Sequence, residues 1–186
     1  MRPLPIKGLG LAAIIRDTSG QGPDPAAKAG QEPPDALKES FRKQIRPPFE
    51  LNGDILSQPL KSHEIPTLDL ESLRFSAFGE LLNKTHYQNL VRIAQRNVDT
   101  TCTLWTKRTD IIEKYKVELP NLIHIYSSPV LNKIALDEIT LYDKVFTVFN
   151  QEAVDNGVNI NCSKSCHTCQ LCYTHNNTQF IHEKLR

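Results

Sequence analysis

Apolar residues in the second half of the chain recur at two periods in turn. Short β-branched and aromatic runs are followed by stretches with the i, i+3, i+4, i+7 spacing of a helix face. Leu73 to Phe78 reads as a strand broken by Gly79, and Thr85 then opens a helix whose face carries Tyr87, Leu90, Val91 and Ala94 before Asn97 closes it. Thr101 to Thr106, TCTLWT, predicts the next strand. Thr109 or Asp110 caps a short helix carrying Ile111, Ile112 and Tyr115, which ends by Pro120. Leu122 to Ser127, LIHIYS, and Lys144 to Phe149, KVFTVF, are the third and fourth strands, separated by a less regular stretch through Leu131, Ile134 and Leu141. A turn at Gln151 to Asn156 leads into Val158 to Ile160, a short final extended run that delivers the chain to Cys162. Alternation of strand and helix from about Leu70 implies an α/β fold: a short parallel sheet or half-barrel of βα units with a C-terminal four-cysteine loop.

The first quarter of the chain has no such pattern. Most of the twelve prolines and eight glycines precede residue 49, and Thr18 to Pro34, TSGQGPDPAAKAGQEPP, lacks aromatic and large aliphatic residues. Such a segment buries too little surface to offset the entropy of ordering it. Residues 1–48 are therefore expected to be a disordered Pro/Gly-rich leader, 49–69 a linker or edge segment, 70–160 the α/β domain and 161–186 a four-cysteine metal-binding tail. A formal charge of +1 identifies no partner. The basic run Phe41 to Arg46, FRKQIR, lacks an interleaved aromatic platform, so a solvated face is preferred to a nucleic-acid contact. Gly8 to Ile15 is apolar and follows Lys7, but Arg16 and Asp17 end it without a small-x-small cleavage site. Nothing approaches the roughly 18 apolar residues of a membrane span. The expectation is a cytoplasmic protein.

In that compartment the cysteines change the picture most. Four of the five, Cys162, Cys166, Cys169 and Cys172, are spaced C-x3-C-x2-C-x2-C in NCSKSCHTCQLCY. Four thiolates with such gaps can wrap one centre by local folding alone. Zinc sites usually separate two close pairs by a linker of roughly 12 to 20 residues, which is absent here. A compact run is nearer to four-iron (4Fe-4S) iron–sulfur ligation, although the order of gaps is reversed from the bacterial ferredoxin run. Iron–sulfur is preferred; zinc remains the alternative, and disulfides would need an oxidising compartment. Lys164, His167 and His175 are placed to compensate cluster charge, but solvated loop positions are the preferred assignment. Cys102, mid-strand, reads as core, and Trp105 and Tyr126 as packing.

In parallel α/β layers functional groups gather at the C-terminal strand ends. That rule selects Gly79 and Glu80, Thr106, Lys107 and Arg108, Ser127 and Ser128, and Asn150, with the cysteine loop expected at the same edge. Lys107 and Arg108 with Ser127 and Ser128 suit a phosphate or carboxylate; a solvated loop held by Glu80 is the competing reading.

Through RFSAFGE, HYQNLVRIAQRN, TLWTKR, PNLIHIYSSP, DKVFTVFN and NCSKSCHTCQLCY, the chain resembles the gene product 88 family of phage and bacterial proteins over about residues 70–186. The resemblance names no reaction. Members look longer, with an upstream region bearing its own cysteines, so the chain is read as the C-terminal part of that fold behind an unrelated leader. Members also tend to show Ser-Gly-Asp where Ala77, Phe78, Gly79 and Glu80 stand here. Cys162 to Cys169 further resembles the three-cysteine motif of radical S-adenosylmethionine enzymes, but there the motif follows the first strand, and here Cys172 would fill the open iron position. Three readings stay open: an iron–sulfur protein of phage or bacterial type with a structural or redox accessory cluster and a redox or protein partner, a zinc-stabilised non-catalytic binding module, and a shortened radical S-adenosylmethionine-like enzyme.

Overall fold

The computed structural model describes residues 53–76, 79–162 and 165–185. The leader expected over residues 1–48, with the Phe41 to Arg46 run, lies outside them. Five strands, β1 (Ser72–Phe75), β2 (Thr101–Thr106), β3 (Leu122–Ser127), β4 (Lys144–Phe149) and β5 (Phe180–Lys184), form one sheet in the order β1-β2-β3-β4-β5. Every neighbouring pair is parallel. The fold is α/β, and the sequential order is the one strands take around a barrel wall.

Between the strands lie α1 (Lys84–Arg96), α2 (Thr109–Tyr115), a 3-10 turn (Leu136–Thr140), α3 (Gln151–Asp155) and the single-turn α4 (Cys166–Cys169). α1 begins earlier than the expected Thr85, because Asn83 holds extended backbone and its side-chain oxygen accepts from His86 N at 2.9 Å. Asn97 closes α1 as expected and also ties it to the preceding segment, accepting from Leu68 N at 2.6 Å and donating to Pro66 O at 3.0 Å and Ile93 O at 2.7 Å. α2 has no side-chain cap from Thr109 or Asp110: the Asp110 carboxylate instead takes two 2.7 Å bonds from the Arg108 guanidinium.

Side chains alternate across the sheet, and each face has its own cover. On one face Leu73, Phe75, Cys102, Leu104 and Leu122 pack with Tyr87, Leu90, Val91 and Ala94 of α1 and Ile111 and Ile112 of α2. Full burial of each large side chain there contributes roughly 1.5–3 kcal/mol. Leu56 and Ile65 join this core, so the described part of the expected linker packs along α1, with Asn89 Nδ2 donating to Leu56 O at 2.8 Å and Arg92 to Leu60 O at 2.6 Å. On the opposite face Trp105, Ile123, Ile125, Phe146 and Ile181 form a second core, against which Val148, Cys162, Leu171 and Cys172 pack.

Two expectations are corrected. β1 stops at Phe75, three residues short, because Ser76 takes a φ of 54° that ends the extended run; Ala77 and Phe78 lie outside the described residues. Val158 to Ile160 forms no strand. The last strand is β5, beyond the cysteines, so the four-cysteine run belongs to the β4-to-β5 crossover.

Candidate metal centre

The crossover returns along the outer edge of β5 before turning over the sheet. Asn161 N and Cys162 N both point at His182 O, at 3.2 and 3.0 Å; the Asn161 side chain accepts from His182 N at 2.8 Å and donates to Phe180 O at 2.9 Å. That pairing covers groups an edge strand would otherwise expose. It also fixes where the first cysteine enters.

From Ser165 the chain makes one helical turn. Ser165 O accepts from Cys169 N at 2.8 Å, and Gln170, at φ 53° and ψ 4°, reverses direction in the left-handed region. The turn spaces Cys166 and Cys169, and the reversal brings Cys172 back. Cys162, Cys166, Cys169 and Cys172 all line one pocket with Gln170, Leu171, Tyr173 and Ile181, with about 250 Å³ of empty space including its open mouth. Cys166 is exposed and the other three half-buried. Burial, then the neighbouring Cys166 and Cys162, pushes the Cys172 thiol up to about 12, against a lowering by Arg74. Its thiolate thus needs a counter-charge, which a metal ion supplies.

Two cations stand under this loop. Arg74 of β1 and Lys144 of β4 occupy the same sheet face as Trp105, Ile125 and Phe146 by strand alternation and register. The Arg74 guanidinium lies 3.8 Å from the centroid of the Trp105 ring, whose other neighbour is Phe146, edge-on at 4.8 Å. Lys144 is 2% exposed, and its Nζ donates to Asn176 Oδ1 at 2.8 Å and Thr178 O at 3.0 Å, pinning the end of the crossover. Burial lowers its pKa, partly offset by Cys172 and Asp143.

The donor set suits a thiophilic metal: four soft ligands on one pocket with an apolar floor. Among the described residues, no group of three or more His, Cys, Asp or Glu is arranged so that it could hold a metal ion as it stands.

The loop lies over the sheet's face, not at the strand-end edge where Glu80, Lys107, Arg108 and Ser127 were expected to adjoin it. At that edge the groups engage one another. Glu80 accepts from Lys107 N at 2.7 Å, Leu81 N at 2.8 Å and the Thr106 hydroxyl. Arg108 pairs with Asp110 and donates to Leu81 O at 2.7 Å and Leu82 O at 3.1 Å. Ser128 Oγ donates to Val130 O and Lys133 O at 3.2 and 3.1 Å, while Ser127 is half-buried and Lys107 exposed. Asn150 caps α3, accepting from Ala153 N at 2.9 Å. Glu80 thus ties the start of the Lys107–Arg108 loop to the end of β2.

Of the cations expected near the cluster, His175 is exposed, and Lys164 and the His167 side chain lie outside the described residues. Arg74 and Lys144 were missed. Their signal was a charged residue on the inward side of an otherwise apolar strand, in SLRF and KVFTVF.

On the helix-covered face a second polar group is buried. Tyr87 Oη stands 3.1 Å from His124 Nε2, His124 Nδ1 is 3.2 Å from Asp143, and Lys116 is 3.0 Å from the other Asp143 oxygen. Tyr87 Oη accepts from Val117 N at 2.8 Å, and Asp143 from His124 N at 2.6 Å. His124 is fully buried, and the group ties α1, β3 and the β4 approach together.

Comparison with known proteins adds no homologue: no family model, no curated protein and no solved structure matches the chain significantly.

Proposed function

We propose that this is an iron–sulfur protein in which Cys162, Cys166, Cys169 and Cys172 together hold one four-iron cluster with a structural or electron-carrying role. The observation that carries the reading is that all four cysteines line a single pocket, although they come from three separate parts of the crossover. Support comes also from the seat beneath it, apolar at Ile123, Ile125 and Phe146 and cationic at Arg74 and Lys144, which suits a buried anionic group. A bound cluster supplies reversible one-electron chemistry. The chain supplies ligands, a dry floor and positive charge. Because four thiolates satisfy all four irons, no iron is left to bind substrate or S-adenosylmethionine, which favours the accessory role over the radical-enzyme reading.

The reducing cytoplasm, where thiols stay available for metal, is the matching location, and the resemblance to the gene product 88 family would make the protein one of phage or bacterial type. Among the described residues no helix is long and apolar enough to cross a membrane. Zinc is the second reading, favoured by the one-turn grip of Cys166 and Cys169, a geometry zinc sites also use. Anaerobic purification followed by iron, sulfide and zinc analysis decides between them. The expected result is a brown protein with roughly four irons and four sulfides per chain, as a four-thiolate cubane requires; zinc without sulfide overturns it.

A further inference from the structure

The face beneath the cysteine loop is unusual in what it puts inside a protein. Strand alternation places Arg74, Thr103, Trp105, Ile123, Ile125, Lys144, Phe146 and Ile181 on one side of the sheet. The polar members of that set offer hydrogens and positive charge. Thr103 is fully buried and Trp105 is 7% exposed, and among the described residues neither Thr103 Oγ1 nor Trp105 Nε1 has a hydrogen-bond partner. Lys144, itself 2% exposed, donates to Asn176 and Thr178, both in the cysteine crossover. Asp143 lies on the other side of the sheet, bonded to His124 and Lys116, although its charge still reaches Lys144, and Glu183 sits two residues beyond Ile181 on edge strand β5.

An unpartnered indole N–H is costly on an apolar floor unless an acceptor offsets it, and the buried Lys144 ammonium, already held by two neutral acceptors, is further stabilised by an anion. Over this floor the crossover packs Leu171 and two cysteines, Cys162 and Cys172, against the cluster of Trp105, Ile123, Ile125, Phe146 and Ile181. Thiolate and sulfide sulfur are acceptors of the matching sign.

We propose that Lys144 and Arg74 form a cationic seat that sets the reduction potential of the centre, with the Trp105 indole N–H donating to its sulfur. The inference rests on the iron–sulfur reading and deepens it. An all-cysteine four-iron cluster gains one negative charge on reduction, so nearby positive charge and N–H donors favour the reduced form. Lys144 acts through the ligands and is a positioning residue. Its two hydrogen bonds give it a second task, holding the 176–178 segment, and the test has to separate charge from anchor.

The full chain, reconstituted anaerobically with iron and sulfide, is compared with Lys144→Met, Asn176→Ala and Trp105→Phe by spectroelectrochemical titration. Lys144→Met is expected to shift the reduction equilibrium at least tenfold toward the oxidised form, a drop of 59 mV for one electron. Asn176→Ala, which loses the anchor's acceptor and keeps the charge, is expected to move it less than threefold. Trp105→Phe keeps the ring packing and loses the N–H, and is expected to shift it about threefold in the same direction as Lys144→Met. Should Lys144→Met fail to fold or to take up a cluster, the Trp105→Phe titration decides alone. A loaded protein whose potential is the same in Lys144→Met and Trp105→Phe overturns the cationic seat and leaves the cluster standing. Zinc uptake without sulfide overturns both.

Discussion

Asp143→Asn isolates the polar group buried on the helix-covered face. Asp143 Oδ2 accepts from His124 N at 2.6 Å and faces His124 Nδ1 at 3.2 Å, while Oδ1 accepts from Lys116 Nζ at 3.0 Å. Burial alone would push this carboxyl up, but the bonds from the His124 ring and backbone and from Lys116 outweigh it and hold the carboxyl well below its usual range. An asparagine of the same shape has one acceptor oxygen. Placed to keep the two His124 bonds, its amide NH2 meets the Lys116 ammonium, donor against donor. The Asp143 and Lys116 side chains are 21% and 20% exposed, so solvent repairs little of the loss. A charge-assisted bond of this kind is worth about 1.5–3 kcal/mol, and the variant should lose about 2 kcal/mol, read as a urea midpoint shift at unchanged m or a fall in Tm of roughly 8 °C. The acid limb carries a second signature. A carboxyl whose folded pKa lies below its unfolded value of about 3.9 contributes stability that is fully present above that value and lost as pH falls through the folded pKa. The gap between wild type and variant should thus be constant from neutral pH down to about pH 5 and shrink below pH 4. A loss under 0.5 kcal/mol, or a gap as wide at pH 2.5 as at neutral pH, refutes the reasoning.

Asn97→Ala removes three bonds, from Leu68 N and to Pro66 O and Ile93 O, on a residue 5% exposed. It should cost about 2–3 kcal/mol in urea denaturation, and protease should then cut first between residues 57 and 70; wild-type cleavage kinetics there would contradict the bracing role. Alkylation with iodoacetamide under native, metal-free conditions should label exposed Cys166 first and Cys102 last, since burial pushes the Cys102 thiol up to about 12 and only thiolate reacts. Peptide mass spectrometry that finds Cys102 modified as fast as Cys166 would contradict the packing.

The strands were legible where both faces are covered. TCTLWT, LIHIYS and KVFTVF become β2, β3 and β4 with the expected ends, because burial on both sides demands continuous apolar and β-branched residues. β1 was overrun at its end because FSAF is as strand-like in composition as its neighbours, and only the backbone turn at Ser76 marks the stop. FIHEK, which forms β5, reads as a mixed charged segment after the cysteines. As an edge strand it has one buried anchor, Ile181, and its partner is chosen by the crossover. Missing that strand displaced the cysteine loop from the sheet's face to its end, and so hid Arg74 and Lys144. The bracing of α1 was illegible for a different reason: Asn89 looks like an ordinary polar helix position, and Asn97 like a plain helix end, until the backbone of 56–68 is laid beside them.

A sheet whose strands run in sequential order has an architectural problem that this crossover addresses. α1 and α2 cover one face, and in a closed barrel the other is covered by the strands opposite. Five strands leave Trp105, Ile123, Ile125, Phe146 and Ile181 needing another roof, and Leu171, Cys162 and Cys172 supply it. Eleven residues with a single helical turn make a poor roof by themselves, since local packing of that size cannot offset the entropy of ordering them. A metal that joins four points of the loop closes it onto the sheet with bonds far stronger than side-chain contacts. On the metal-binding reading proposed above, the cysteines stand where a metal would stabilise the fold. It follows that loss of the metal should expose this apolar face before it loosens the helix-covered one, with amide exchange rising first at β5 and at residues 159–179 while β2 and β3 stay protected. Uniform loss of protection across the sheet would show that the loop is a passenger and not the second wall of the core.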